Sequence, residues 1–224
     1  MIMAMNSNVV GLVLSFGFLG LVIALGIFLK FRLGISSETM RKFIHIGVSN
    51  WWFLNLYYFS SIAWALVGPI LFIIMNSLFT LLNWGKALGL DDRKRNWGLV
   101  YFPITLVFLV IGMYQGIITT LAATISVLVM GWGDGLAAMV GSKWGKKKIG
   151  SLDKSILGCS TMAIVSFLVT LIALVVSSSL SVNTVIFASI LVGVAAMVVE
   201  ALTPWGLDNI TVPAIVLFVI GFFL

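Results

Sequence analysis

"GWGDGLAAMVGSKWGKKKIG", residues 131–150, interrupts a chain that is otherwise mostly apolar. It follows an uncharged run that starts near residue 116, presents one carboxylate at Asp134 between Gly133 and Gly135, and then gathers Lys143, Lys146, Lys147 and Lys148. The point at which the apolar run stops decides how the chain is threaded. The pattern predicts a span over 116–131, with Asp134 just beyond its C-terminal end. Helix C-termini carry partial negative charge, so a carboxylate there is disfavoured by about 0.3–1 kcal/mol unless a cation intervenes. The flanking glycines allow unusual backbone angles and the close approach of a ligand. Asp134 is therefore either a solvated acid that ends the span or a candidate cation ligand beside a phosphate-binding patch.

Composition settles the surroundings of that stretch. The chain has 224 residues, 61% of them hydrophobic and 9% charged, where a soluble domain has about 45–50% apolar and about 25% charged residues. This is the composition of an integral membrane protein. One cysteine, Cys159, excludes an internal disulfide and a Cys-rich zinc site, and one histidine, His45, excludes a cage of several histidines. The net charge of +6 points to phosphates or anionic lipid headgroups rather than to nucleic acid. No Lys or Arg precedes the first apolar run, so residues 9–29 read as an uncleaved transmembrane helix and not as a signal peptide.

The expected fold is all-α and polytopic, a single integral-membrane domain over 1–224. About eight spans are expected, near 9–29, 44–58, 62–82, 98–114, 116–131, 157–177, 184–200 and 210–224. All thirteen Lys and Arg residues fall in the first, third and fifth connections, and positive charge marks the cytoplasmic face. Both termini are then non-cytoplasmic. The acids Glu38, Asp91, Asp92, Asp134, Asp153, Glu200 and Asp208 fall on the same face as the basic residues, as does His45. The candidate chemistry lies in the cytoplasmic stretches 30–43, 131–158 and 200–211. A transporter places its binding groups near the midplane, commonly on broken helices. The neutral outer loops and one-sided charge favour interfacial chemistry over a transporter or lipid-binding protein.

Three acids stand out. Glu200, like Asp134, ends a span at the disfavoured helix terminus, and Asp208 opens the last span after "TPWG". Asp is also a favoured N-cap, and Pro213 suits an early helical turn. Oxygen-only ligation by Asp134, Glu200 and Asp208 suits Mg²⁺, which is held by a few carboxylates together with substrate phosphates. Arg41 and Lys42 open the second span, with His45 one turn beyond Arg41 on the same face. His45 reads as an interfacial or hydrogen-bonding histidine. Lys154 and Ser155, before Gly158, sit at the mouth of the sixth span, where helix N-terminal amides form an anion site. Lys146 to Lys148 also read as positive-inside anchors. No G-x-x-x-x-G-K-[ST] loop or protein-kinase signature is present. Mg²⁺ ligands beside basic residues are the parts of a phosphoryl-transfer site.

The segments "RKFIHIG" (41–47), "GDGLAAMVGSKWGKKKIG…DKSILG" (133–158) and "EALTPWGLDNITVP" (200–213) resemble the polyprenol kinase family, which includes dolichol kinases, phytol kinases and CTP-dependent diacylglycerol kinases. More distantly they resemble phosphatidate cytidylyltransferases. Those enzymes carry an acid in the block where this chain has "KSILG", and end in a signature absent here. The resemblance implies transfer of the γ-phosphoryl group of a nucleoside triphosphate, CTP or else ATP or UTP, to a lipid alcohol. It implies that Asp134, Glu200 and Asp208 gather Mg²⁺ and the triphosphate, supported by Asn209 and Thr211. Arg41, Lys42, Lys143, Lys147, Lys154, Ser155 and Gly158 would contact phosphates, with His45 and Asn50 as accessories. Either Asp134 or Asp208 would take the alcohol proton. The partners implied are the nucleotide, the lipid alcohol and membrane lipids, with oligomeric state left open.

Overall fold

Apolar segments in a bilayer must satisfy every backbone N–H and C=O internally, and helices do so within one segment. The computed structural model describes residues 7–90, 92–150 and 154–224; Asp91 and Asp153 lie outside the described residues. The described chain is almost entirely helical: α1 (Ser7–Leu33), α2 (Ser37–Ser49), α3 (Trp51–Tyr58), α4 (Ile62–Leu81), a short α5 (Arg93–Asn96), α6 (Gly98–Tyr114), α7 (Thr120–Leu128), α8 (Gly135–Trp144), α9 (Ile156–Ser177), α10 (Val182–Leu202) and α11 (Asp208–Ile220). Among the described residues, six stretches are long and apolar enough to cross a membrane: Ser7–Leu33, Ile62–Leu81, Lys94–Tyr114, Thr120–Trp144, Ile156–Ser177 and Val182–Leu202. The chain is a multi-pass membrane protein.

The second and eighth expected spans fall on shorter helices. Over 44–58 the helix is broken at Asn50, between α2 and α3. At 1.5 Å per residue, α11 is about 20 Å long, short of a hydrocarbon core of about 30 Å. It is sheltered by neighbouring helices, with Val212, Pro213, Val216 and Ile220 buried. The fifth expected span needs a larger correction. It does not stop at residue 131 but runs through a π-helical turn, Val129–Asp134, straight into α8. The apolar count ends there, but the backbone ladder continues because Leu136, Ala137, Ala138 and Met139 still favour helix.

Close packing follows from small residues. Along α1 the buried positions Gly11, Ser15, Leu19, Val22 and Gly26 form one stripe, while Val13, Leu21, Phe28 and Phe31 are exposed. The stripe faces α2 and α3: a Cβ on Gly11 would meet Tyr58 Cβ at 2.5 Å, and one on Gly26 would meet Ile44 at 2.6 Å. Trp51 Nε1 donates to Ser15 Oγ at 2.9 Å. Small residues that admit a neighbour this closely are what hold helices together where lipid removes the hydrophobic driving force. One buried cluster joins α7 and α9 to α11, through Ile125, Met162, Val192 and Val216. A second joins α1, α3, α4, α6 and α7, through Trp52, Ala65, Leu106 and Val127.

The two ends of the bundle differ in chemistry. At one end Asn8 Nδ2 donates to Ser60 Oγ at 3.0 Å and Tyr114 Oη donates to the Phe59 carbonyl at 2.8 Å. At the other, Arg95 reaches Glu38 at 2.7 Å, Lys154 pairs with Glu200, and Lys94 sits 5.5 Å over the Trp205 ring. The link from α8 to α9 doubles back there. Ile149 N donates to the Lys154 carbonyl at 3.0 Å and Ile156 N to the Lys147 carbonyl at 2.9 Å, which folds Lys154 and Ser155 against α8.

Candidate active site

The π-helical turn is what presents Asp134. A π turn adds a residue to the helix and rotates the following side chain, and such turns recur at functional sites. Its glycines serve close approach, not unusual backbone angles, since none of them has a positive φ. A Cβ on Gly131 would lie 2.2 Å from Ser49, one on Gly133 2.8 Å from Met162 Sδ, and one on Gly135 2.3 Å from Ile46. The turn is wedged between α2 and α9, and Asp134 is driven inward to 2% exposure. It is a buried acid inside a helix, not a loop acid at a helix end.

Glu200 comes from the last turn of α10 and Asp208 from the first turn of α11, at 2% and 7% exposure. One carboxylate oxygen from each of Asp134, Glu200 and Asp208 lies within 4.8 Å of the others. Asp208 does not cap its helix as expected: it is the first helical residue, and its Oδ1 accepts from the Asn209 backbone N–H at 3.0 Å. The link that turns Glu200 toward Asp208 needs Gly206, whose φ is +80° and whose Cβ would lie 2.6 Å from Gly98 Cα.

Each acid is partly engaged. Lys42 donates to Asp134 Oδ2, and Lys154 to Glu200 Oε1. His45 Nε2 lies 3.6 Å from Asp134 Oδ2 and 3.3 Å from the Met130 carbonyl. Burial works against the Lys154 ammonium, but the Glu200 and Asp134 carboxylates outweigh it and raise its pKa above the ordinary lysine value. Asp134 Oδ1 is buried with no hydrogen-bond partner, a condition that costs several times a normal hydrogen bond unless something positive satisfies it. Three carboxylates against two ammonium groups leave one negative charge over. An orphaned oxygen, three converging acids and excess negative charge fit a divalent cation.

A wide polar cleft opens onto Glu200 and Asp208 of this group. It is lined by Arg41, Lys42, Lys154, Ser155, Glu200 and Asp208 among others. Arg41 and Lys42 do not open a span but lie buried inside α2, which starts earlier because Ser36 caps it, accepting from Thr39 N at 3.1 Å. Arg41 is held by Glu38 at 2.9 Å. Burial pushes the Glu38 carboxyl up, but Arg41 and Arg95 outweigh it and leave it below its usual value. Gly158 also lines the cleft, where a Cβ would meet the Ala137 carbonyl at 3.1 Å.

Other expected contacts are not brought together. Lys143 and Lys147 are exposed and outside the cleft lining, with Lys143 lying 4.8 Å over the Trp144 ring. The continued helix α8 carries Lys143 away from Asp134, and Lys148 lines the cleft instead. At the start of α9, two amides expected to bind anions are already used: Gly158 N donates to Ser155 Oγ at 3.1 Å and Ile156 N to the Lys147 carbonyl. Thr211 bonds Thr203 Oγ1 at 3.0 Å, tying the α10–α11 link without lining the cleft. Asn50 Nδ2 donates to the Ile46 carbonyl at 2.7 Å, so it secures the break between α2 and α3. Asn209 faces a second, apolar cavity. Glu38, Asp92 and Arg95 line the cleft and were not singled out. An i,i+3 Glu38–Arg41 pair was their one local signal.

No protein-family model matches the chain, and no solved structure matches it. The chain is similar to a phytol kinase from Synechocystis sp., with 32% identity over 190 residues, covering 81% of this chain and 78% of the relative.

Proposed function

The chain belongs to the family of phytol and polyprenol kinases, and from this premise we propose that it is a lipid-alcohol kinase working on the cytoplasmic face. It transfers the γ-phosphoryl group of a nucleoside triphosphate, with CTP favoured over ATP or UTP, to a phytol-like or polyprenol hydroxyl. The observation that carries the reading is the buried trio Asp134, Glu200 and Asp208 beside Lys42 and Lys154, with Glu200, Asp208 and both lysines lining an open polar cleft. The whole chain, 1–224, acts as one integral-membrane domain with both termini on the opposite face.

Asp134, Glu200 and Asp208 would hold Mg²⁺, which when bound offsets charge on the triphosphate oxygens. Lys42 and Lys154 neutralise Asp134 and Glu200 in the resting protein, so they stand ready within reach of phosphate oxygens. Arg41 and Lys148 extend the positive wall of the cleft. Asp134 or Asp208 accepts the proton of the hydroxyl. The alcohol oxygen bonds to the γ-phosphorus, the bond from that phosphorus to the bridging oxygen breaks, and the nucleoside diphosphate leaves. A loose transition state asks more for positioning than for a strong base, and helices, not loops, hold all three acids.

The test is an assay of purified protein in detergent with γ-³²P-CTP, then ATP and UTP, with Mg²⁺ and a panel of phytol, farnesol, geranylgeraniol, a long polyprenol and diacylglycerol. Label in a lipid monophosphate is expected. Pyrophosphate release with phosphatidate, and no labelled alcohol, would replace the reading by cytidylyl transfer.

A further inference from the structure

A second cavity adjoins the polar cleft and shares two of its walls, Arg41 and Lys42. Its cavity volume is about 110 Å³, a slot that a slender hydrocarbon chain suits better than a bulky ligand. Most of its lining is apolar: Leu19 and Ile23 of α1, Trp51 of α3, Phe72 of α4, and Phe102 and Leu106 of α6. Its polar lining groups are Arg41, Lys42, His45, Asn209 and Asn76, and Asn76 Nδ2 is already used, donating to the Leu99 carbonyl at 2.8 Å.

The other polar groups are nearly saturated. Glu38 holds Arg41, Asp134 holds Lys42, and His45 Nε2 lies against the Met130 carbonyl. Asn209 is different. Its Nδ2 donates to the Gly206 carbonyl at 3.0 Å and to Asp208 Oδ1 at 3.1 Å. Two acceptors facing that nitrogen settle the amide orientation. Its Oδ1 is then left buried with no donor. A site whose cations are paired and whose spare group is an acceptor suits a neutral head that donates a hydrogen bond.

We infer that this cavity is the acceptor-lipid groove, and that Asn209 takes the hydrogen bond of the lipid hydroxyl, stationing the alcohol oxygen beside Asp208. This rests on the kinase reading of the adjoining cleft. The hydrocarbon tail lies along Leu106, Phe72 and Ile23, and leaves toward the bilayer between α1 and α4, which touch each other only sparingly. The nucleotide reaches the carboxylates from the water side and the alcohol from the lipid side, with Arg41 and Lys42 forming the partition. Asn209, assigned from the sequence to the metal and nucleotide, thus belongs to the acceptor.

The experiment measures equilibrium binding of phytol, its hydroxyl-free hydrocarbon phytene and a phosphatidate to the full-length protein in detergent, without nucleotide. Wild type should prefer phytol over phytene by about tenfold, the worth of one net hydrogen bond. Asn209→Leu should bind both equally and keep its affinity for phytene. In turnover, Asn209→Ser, a shorter acceptor, should raise the KM for phytol and leave the KM for nucleotide unchanged. Should Asn209→Leu fail to fold, Ile23→Trp narrows the groove without touching the polar groups and should weaken phytol and phytene alike. Equal binding of phytol and phytene by wild type, preference for phosphatidate, or an intact phytol preference in Asn209→Leu overturns the inference. The expected binding pattern with no phosphorylated lipid under any nucleotide would support the groove and remove the kinase reading.

Discussion

At one end of the bundle the helices are fastened by charge, and at the other by neutral hydrogen bonds. Glu38, Arg41 and Arg95 join α2 to the stretch before α6, Lys42–Asp134 joins α2 to the π turn, and Lys154–Glu200 joins the α8–α9 link to α10. The opposite end relies on Asn8–Ser60 and on Tyr114 with the Phe59 carbonyl. Neutral bonds suffice to close short loops. Buried ion pairs are a poor route to stability, because desolvation offsets much of their attraction. Their concentration at one end therefore marks a place where charge is needed for something else, and the orphaned Asp134 Oδ1 says the same.

The comparison can be broken most forcefully at its centre. Asp134→Asn and Asp208→Asn should each lower phosphoryl transfer by about 10²–10³ or more, with the protein still inserted and helical by circular dichroism. Near-wild-type turnover in either variant would remove that residue from the cation shell. Lys42→Met leaves the Asp134 carboxylate buried without its counter-charge, and should lower stability by about 3–5 kcal/mol in denaturant titration. Mg²⁺ should raise the melting temperature of wild type and recover part of the Lys42→Met loss, because a cation replaces the missing ammonium. No such shift should occur in Glu200→Gln.

The smaller effects sharpen the contrast. Glu38 has a pKa below its ordinary value, so its contribution is complete above about pH 5 and fades as pH falls through that lowered value. Thermal melts of wild type and Glu38→Gln should therefore differ at neutral pH and converge in acid. A constant gap would mean that the Arg41 and Arg95 contacts add nothing through charge. At the neutral end, Tyr114→Phe should cost about 1 kcal/mol and leave turnover unchanged. Lys143→Ala and Lys147→Ala should change activity by no more than about twofold, as expected of exposed charges. A complete loss in either would return that lysine to the phosphate site.

How much of this was legible in the sequence varies by residue. Glu200 and Asp208 could be read, because each ends or opens an apolar run and their separation by one tight link forces proximity. Asp134 could be picked out by its isolation, yet its setting could not. A π turn has no sequence signature distinct from an α-helix followed by a glycine-rich loop, so the span was placed thirteen residues short of its end at Trp144. The resemblance implies Lys143 and Lys147 beside the phosphates, whereas the continued α8 carries Lys143 away from Asp134 and Lys147 is exposed in the link beyond α8. Arg41 and Lys42 read as opening a span, because the burial of Lys42 depends on a partner 92 residues away.

The amino-acid sequence by itself determined the membrane setting, the helical class, the one-sidedness of the charge and the identity of the three acids. Each of these follows from composition and from order along the chain, since a bilayer tolerates only saturated backbones and sorts basic loops to one face. The tertiary structure alone decided which oxygen of Asp134 is left without a partner, which lysines face the cleft and which cavity Asn209 borders. Those depend on how helices distant in sequence press together, at Gly131 against Ser49 and Gly135 against Ile46, and contact between separate helices is not written in the periodicity of either one.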